Sequence, residues 1–201
     1  LLHEGIRALT GLVTCRRGDE LPPEGLFFRH QEGRSAAFLG ETMWIVWSSS
    51  DTVHTSSDDL DIVAATFDIP NHSIDTVVQL SDPTDTEDDL YPSTLVSNNC
   101  LYIAWQTKDK TVGPGDDEDI GLAVYDGTWD TLGLTSPHDT GDDVFPLLFP
   151  FKGGIWLAWQ SSDSSITGGN GWDIVVAEIN GTILGNVLVV SEGKDSADVG
   201  G

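Results

Sequence analysis

The residues of this chain best equipped for chemistry are aspartates, and they recur at regular intervals. One series is Asp85, Glu87, Asp88 and Asp89, then Asp139, Asp142 and Asp143, then Asp195 and Asp198. A second is Asp51, Asp58, Asp59 and Asp61, then Asp109, Asp116, Asp117, Glu118 and Asp119, then Asp163, Asn170 and Asp173. Clustered carboxylates beside backbone carbonyls suit Ca2+, which takes about six to eight oxygens in a flexible shell. Gly113, Gly115, Gly168, Gly169 and Gly171 let the second series of loops fold tightly. The candidate ligands are therefore Asp85, Asp88, Asp89, Asp139, Asp142, Asp143, Asp163 and Asp173. Aspartates also cap backbone N–H groups in solvated turns, and no EF-hand spacing is present. The recurrence of Asp61, Asp119 and Asp173 directly before an apolar stretch favours a structural bond over an ion.

Other reactive groups are sparse. All five arginines, Arg7, Arg16, Arg17, Arg29 and Arg34, fall in the first 34 residues, so no arginine clamp can be drawn from several repeats. His3, His30, His54, His72 and His138 do not recur as metal ligands would. Neither a nucleophile elbow nor a His-Glu-x-x-His motif occurs. Cys15 and Cys100 are the two cysteines; without a CxxC they offer at most one disulfide. Paired carboxylates are so abundant that they discriminate nothing for glycosidase chemistry. Trp129 and Trp172 read as exposed, either a sugar-stacking platform or, more simply, packing of loop on strand.

The elements that position these residues follow from a repeat. Met43-Trp44-Ile45-Val46-Trp47-Ser48, Leu101-Tyr102-Ile103-Ala104-Trp105-Gln106 and Ile155-Trp156-Leu157-Ala158-Trp159-Gln160 read alike. Trp47, Trp105 and Trp159 are 58 and 54 residues apart, and so are Asp61-Ile62, Asp119-Ile120 and Asp173-Ile174. Pro92 and Pro146, with Arg34 in the first copy, stand 13 residues before each tryptophan. Each copy predicts four short strands. The first follows the proline, near Ser93–Ser97 or Leu147–Phe151. The second ends on the tryptophan and is apolar enough to be buried on both faces. The third covers 61–68, 119–126 or 173–180. The fourth covers Thr76–Leu80, Leu132–Thr135 or Val187–Ser191, after turn signals such as Asp126-Gly127 and Asn180-Gly181. Trp47, Trp105, Trp159, Ile62, Ile120 and Ile174 are the expected repeat core.

Four antiparallel strands per repeat of this length describe a β-propeller blade. The expected class is all-β and propeller-type, with about three four-stranded blades of 54–58 residues plus partial flanking segments. Residues 32–80, 81–135 and 136–190 make the three blades. Residues 1–31 read as the remnant of a preceding blade and 191–201 as the start of a further one. Three blades do not close a ring of about four to eight. The run Gly-Gly-Ile-Trp-Leu-Ala-Trp-Gln-Ser-Ser-Asp, followed by Trp-Asp-Ile-Val-Val-Ala and Asn-Gly, resembles repeats of secreted or cell-surface propellers of archaea and bacteria. It is broadly similar to the TolB-type and sialidase-like repeat families. Ser161-Ser162-Asp163-Ser164-Ser165 lacks the glycine and tryptophan of the sialidase Asp-box. The resemblance covers 32–201 and implies a fold and a surface location, with no specific ligand.

Composition narrows the partners. With 33 acidic against 9 basic residues the net charge is −24, which repels nucleic acid and anionic lipid. No apolar run reaches membrane-spanning length. Asn71-His72-Ser73 and Asn180-Gly181-Thr182 are glycosylation sequons and agree with an extracellular or cell-surface chain. The leading expectation is a non-enzymatic surface module for interaction or assembly, with protein, carbohydrate or further copies of itself as partner and Ca2+ as a stabiliser. The alternative is a fragment of a carbohydrate-active propeller enzyme of glycosidase or lyase type.

Overall fold

The computed structural model describes residues 33–55, 59–109, 117–135, 141–169 and 171–191. They form three antiparallel sheets that follow one another along the chain. The first contains β1 (Arg34–Leu39), β2 (Thr42–Ser49), β3 (Asp61–Asp68) and β4 (Ser73–Gln79). The second contains β5 (Leu90–Ser97), β6 (Cys100–Thr107), β7 (Asp119–Tyr125) and β8 (Trp129–Gly133). The third contains β9 (Asp143–Phe151), β10 (Gly154–Ser161) and β11 (Asp173–Asn180), with a fourth edge in two pieces, β12 (Ile183–Leu184) and β13 (Leu188–Val189). One helical turn, α1 (Ser164–Thr167), sits in the loop between β10 and β11. In the first two sheets strand order follows chain order, so each is a simple meander. The fold is all-β and propeller-type. The segments 1–31 and 192–201, and with them Cys15, lie outside the described residues.

The sheets pack face to face, and the repeated apolar positions form the joints. Trp44, Val46, Ile62 and Ala64 of the first sheet meet Leu101, Ile103, Trp105 and Ala123 of the second. Tyr102, Ala104, Ile120 and Leu122 on the second sheet's other face meet Leu148, Leu157, Trp159 and Val175 of the third. Trp47, Trp105 and Trp159 are each at most 3% exposed, and Ile62 and Ile120 are fully buried. Ile174 departs from expectation: it is 41% exposed. Its register matches Ile62 and Ile120, but it lies on a face of the third sheet that no described sheet covers. For the same reason β10 is buried on one face only, whereas β2 and β6 are buried on both.

Two further departures have local causes. Pro92 and Pro146 lie inside β5 and β9, not ahead of them, because each strand carries a bulge there. The residue before each proline, Tyr91 or Phe145, is left-handed, at φ 54° and 56°. Gly33 takes the matching place in the first copy at φ 84°. A bulge leaves one residue out of the ladder, and that is where proline is tolerated within a sheet. The fourth strands β4 and β8 start earlier than the sequence predicts, at Ser73 and Trp129. Their turns are tight: Asp68 pairs with Ser73 and Tyr125 with Trp129. In the third sheet Gly185 donates to the Glu178 carbonyl at 2.8 Å, and the edge breaks around it into β12 and β13.

Candidate functional site: an acidic rim between the sheets

Antiparallel topology sorts the loops. The loop from second to third strand and the segment leading to the next sheet open at the same end of each sheet. The tight turns open at the other end. Both aspartate series therefore share one rim, although they are far apart in sequence.

Most of these aspartates build the rim itself. Asp61 accepts from the Ser81 hydroxyl at 2.7 Å, and Ser81 accepts from the Ile62 N–H at 3.1 Å. Asp119, Thr135 and Ile120 repeat this latch at 3.1 and 2.9 Å, and Asp173, Ser191 and Ile174 at 2.6 and 2.9 Å. The latch ties the end of the fourth strand to the start of the third. Asp89 accepts from the Trp105 indole N–H at 3.1 Å, and Asp143 from that of Trp159 at 2.8 Å. A buried indole N–H needs such an acceptor, and here the lead-in to the sheet supplies it. Asp88 and Asp142 reach back one sheet and accept from the Leu60 and Glu118 N–H groups at 2.9 and 3.1 Å. Asp163 caps α1 by accepting from the Ser165 N–H at 2.8 Å. Asp139 lies outside the described residues, as do Asp58, Asp116, Asn170, Asp195 and Asp198.

Asp85 is different. Neither of its carboxylate oxygens has a hydrogen-bond partner, and both are shielded from solvent. It faces Asp59 and Asp61, and one oxygen of each of the three lies within 4.8 Å of the others. Burial, then the charges of Asp109, Asp59 and Asp61 and the close side-chain approach of Asp59, push the Asp85 carboxyl up to about 7. Asp89 is fully buried and its Oδ2 has no donor in hydrogen-bond geometry. Burial pushes it up to about 8; the Thr107 and Ser81 hydroxyls partly offset this, and Asp85 and Asp61 add to it. The junction of the second and third sheets repeats the theme more mildly. Burial raises Asp119 and Asp143 to about 6 each, against the bonds they accept. Asp117 Oδ2 and Asp143 Oδ2 are likewise buried without a donor.

Sequence adjacency groups Asp85 with Asp88 and Asp89. The structure groups it with Asp59 and Asp61, from a loop more than 20 residues earlier. The signal for this lay in the topology, which brings the two loop types to one rim. Trp129 also departs from expectation: it is half-buried, 5.5 Å edge-on to Trp44 and 4.9 Å from Tyr125. It is part of the joint between the first two sheets. Trp172 is 51% exposed, as expected. The rim holds a cavity of about 310 Å3 lined by Leu80, Ser81, Asp82, Pro83, Asp109 and Leu132, among others. Cys100 is half-buried at the start of β6. Among the described residues no helix is long and apolar enough to cross a membrane.

No protein-family model and no curated protein sequence matches the chain. Solved structures do. An α-L-arabinanase of Penicillium chrysogenum, complexed with arabinobiose, superposes with a TM-score of 0.57 at 12% identity, over 79% of this chain and 49% of that one. A thermostable family-43 glycoside hydrolase gives 0.49 at 11%, over 81% and 59%. An α-L-arabinofuranosidase of Lactobacillus brevis gives 0.47 at 14%, over 76% and 51%. The chain thus spans about half the length of the arabinanase. The first of these likenesses supports the propeller-type fold. It gives no support to the TolB-type or sialidase-like naming of the repeat. It also counts against the leading expectation of a non-enzymatic surface module: the structure that superposes here at a TM-score of 0.57 is that of an arabinanase.

Proposed function

We propose that the chain belongs to a carbohydrate-active propeller enzyme of glycosidase type, acting on a polysaccharide such as arabinan. The observation that carries this reading is the superposition on an arabinanase over most of the described chain. The acidic rim adds to it. Glycoside hydrolysis needs two carboxyl groups about 5–10 Å apart, one of them kept protonated. Carboxylates are concentrated at this rim, and burial and mutual repulsion raise four of them. The first strands of the sheets do not supply the pair. β1 and β5 carry no carboxylate, and Asp143 of β9 is buried against Trp159. An extracellular location fits a polymeric substrate, and Asn71 and Asn180 of the two sequons are exposed in the turns of the opposite end. The test is affinity electrophoresis in gels containing arabinan, xylan or galactan, with reducing ends assayed in parallel. Retarded migration with one polymer and release of reducing ends from it are expected. Unchanged migration with all three and no release would overturn the reading.

A further inference from the structure

We propose that Asp59, Asp61 and Asp85 form a divalent-cation site of the Ca2+ class that braces the first sheet against the second. Asp59 and Asp61 lead into β3 of the first sheet, and Asp85 leads towards β5 of the second. An ion held by all three would therefore span the joint. The spacing fits the ion. One oxygen of each carboxylate lies within 4.8 Å of the others, close enough for all three to reach one divalent ion, and an all-oxygen set with a flexible shell suits Ca2+.

A second observation is independent of that cluster. Asp89 is wholly buried, its Oδ1 is taken by Trp105, and its Oδ2 has no donor beside Asp61 and Asp85. An orphaned buried carboxylate oxygen is costly unless something positive completes it. The Thr107 and Ser81 hydroxyls offset part of that burial, but Ser81 directs its proton to Asp61 at 2.7 Å, and Asp89 Oδ2 is left without a donor in hydrogen-bond geometry. Asp85 repeats the defect with both oxygens, and Asp59 with its Oδ2. The charges acting on Asp85 are all aspartates, Asp109, Asp59 and Asp61. A divalent cation removes the repulsion and fills the empty coordination at once. The remaining shell would come from water and loop carbonyls. The brace is separate from carbohydrate chemistry, so it stands or falls without the proposed activity.

The experiment strips the 201-residue chain with EDTA, titrates it with CaCl2 by calorimetry, and follows melting at fixed ionic strength. Saturable binding and a rise in melting temperature are expected with CaCl2 and not with NaCl of equal ionic strength. Asp85→Asn should weaken binding at least tenfold and abolish the Ca2+-dependent rise. It should also raise the melting temperature of the metal-free chain, because one repelling charge is gone. Asp75→Asn, exposed on β4, should change neither. If Asp85→Asn fails to fold by circular dichroism, Asp59→Asn gives the same reading, since its Oδ2 holds no donor either. Absence of saturable binding, equal stabilisation by NaCl, or an undiminished Ca2+ response in the folded variant would overturn the proposal.

Discussion

Single positions show how tightly the joints are built. Gly121 stands where the other copies have Val63 and Val175, and it lies under the Trp105 indole. A Cβ there would meet Trp105 Cε2 at 2.6 Å, with the ring fully buried and unable to yield. Gly121→Val should therefore destabilise the fold by about 1–3 kcal/mol or more, as overpacking does. A urea melt checks it, and an unchanged midpoint would contradict the packing described. Asp143 carries a pH signature. Its carboxyl stands at about 6 in the folded chain against 3.8 when unperturbed, because burial penalises its charge. The folded state then holds the proton more tightly than the unfolded one. This contribution to stability is complete below about pH 3.8 and is lost as pH rises through about 6. Melting of the metal-free chain should fall across that window, and Asp143→Asn should flatten the fall. A melting temperature that climbs from pH 4 to 6 would contradict the sign.

At the scale of elements, equal sequence does not mean equal environment. Ile120 and Ile174 hold the same place in their strands, yet the first is fully buried and the second is 41% exposed. Ile120→Ala should cost about 2–5 kcal/mol, the range for emptying a packed core site. Ile174→Ala should cost under about 0.5 kcal/mol, as surface changes do. Similar losses from the two would show that the third sheet's free face is covered. The same contrast explains what the sequence discloses. The second and third strands of each copy were legible, because their apolar runs and the tryptophan–aspartate spacing recur without a gap. The bulges at Tyr91 and Phe145 were not, because a proline marks a strand start as readily as a bulge. The split of the last edge at Gly185 was hidden too, since Leu188 and Val189 read like any continuous strand. Trp129 looked exposed because its partners Trp44 and Tyr125 come from other strands, one of them in another sheet. The candidate site was half legible. Both aspartate series were visible as loops, but hydrogen bonds occupy most of them, and only the fold brings Asp85 to Asp59 and Asp61.

For the whole molecule, acidity has a definite architecture. Of the clustered carboxylates, some latch strands, some hold indoles, and some bind one sheet to the backbone of its neighbour. Those left over at the first junction repel one another. Repulsion at one rim of a propeller-type fold is the feature on which both proposals rest, the cation site and the proton-holding carboxyls, and the two are independent of each other. The architecture is shared with an arabinanase over 79% of this chain, and this likeness is what supports the proposed carbohydrate-active reading. The most direct measurement is the size distribution of arabinan after incubation with the chain in CaCl2, read by size-exclusion chromatography. The polymer peak should shift to short oligosaccharides. An unchanged polymer profile, with no retention of the chain on arabinan, would contradict it.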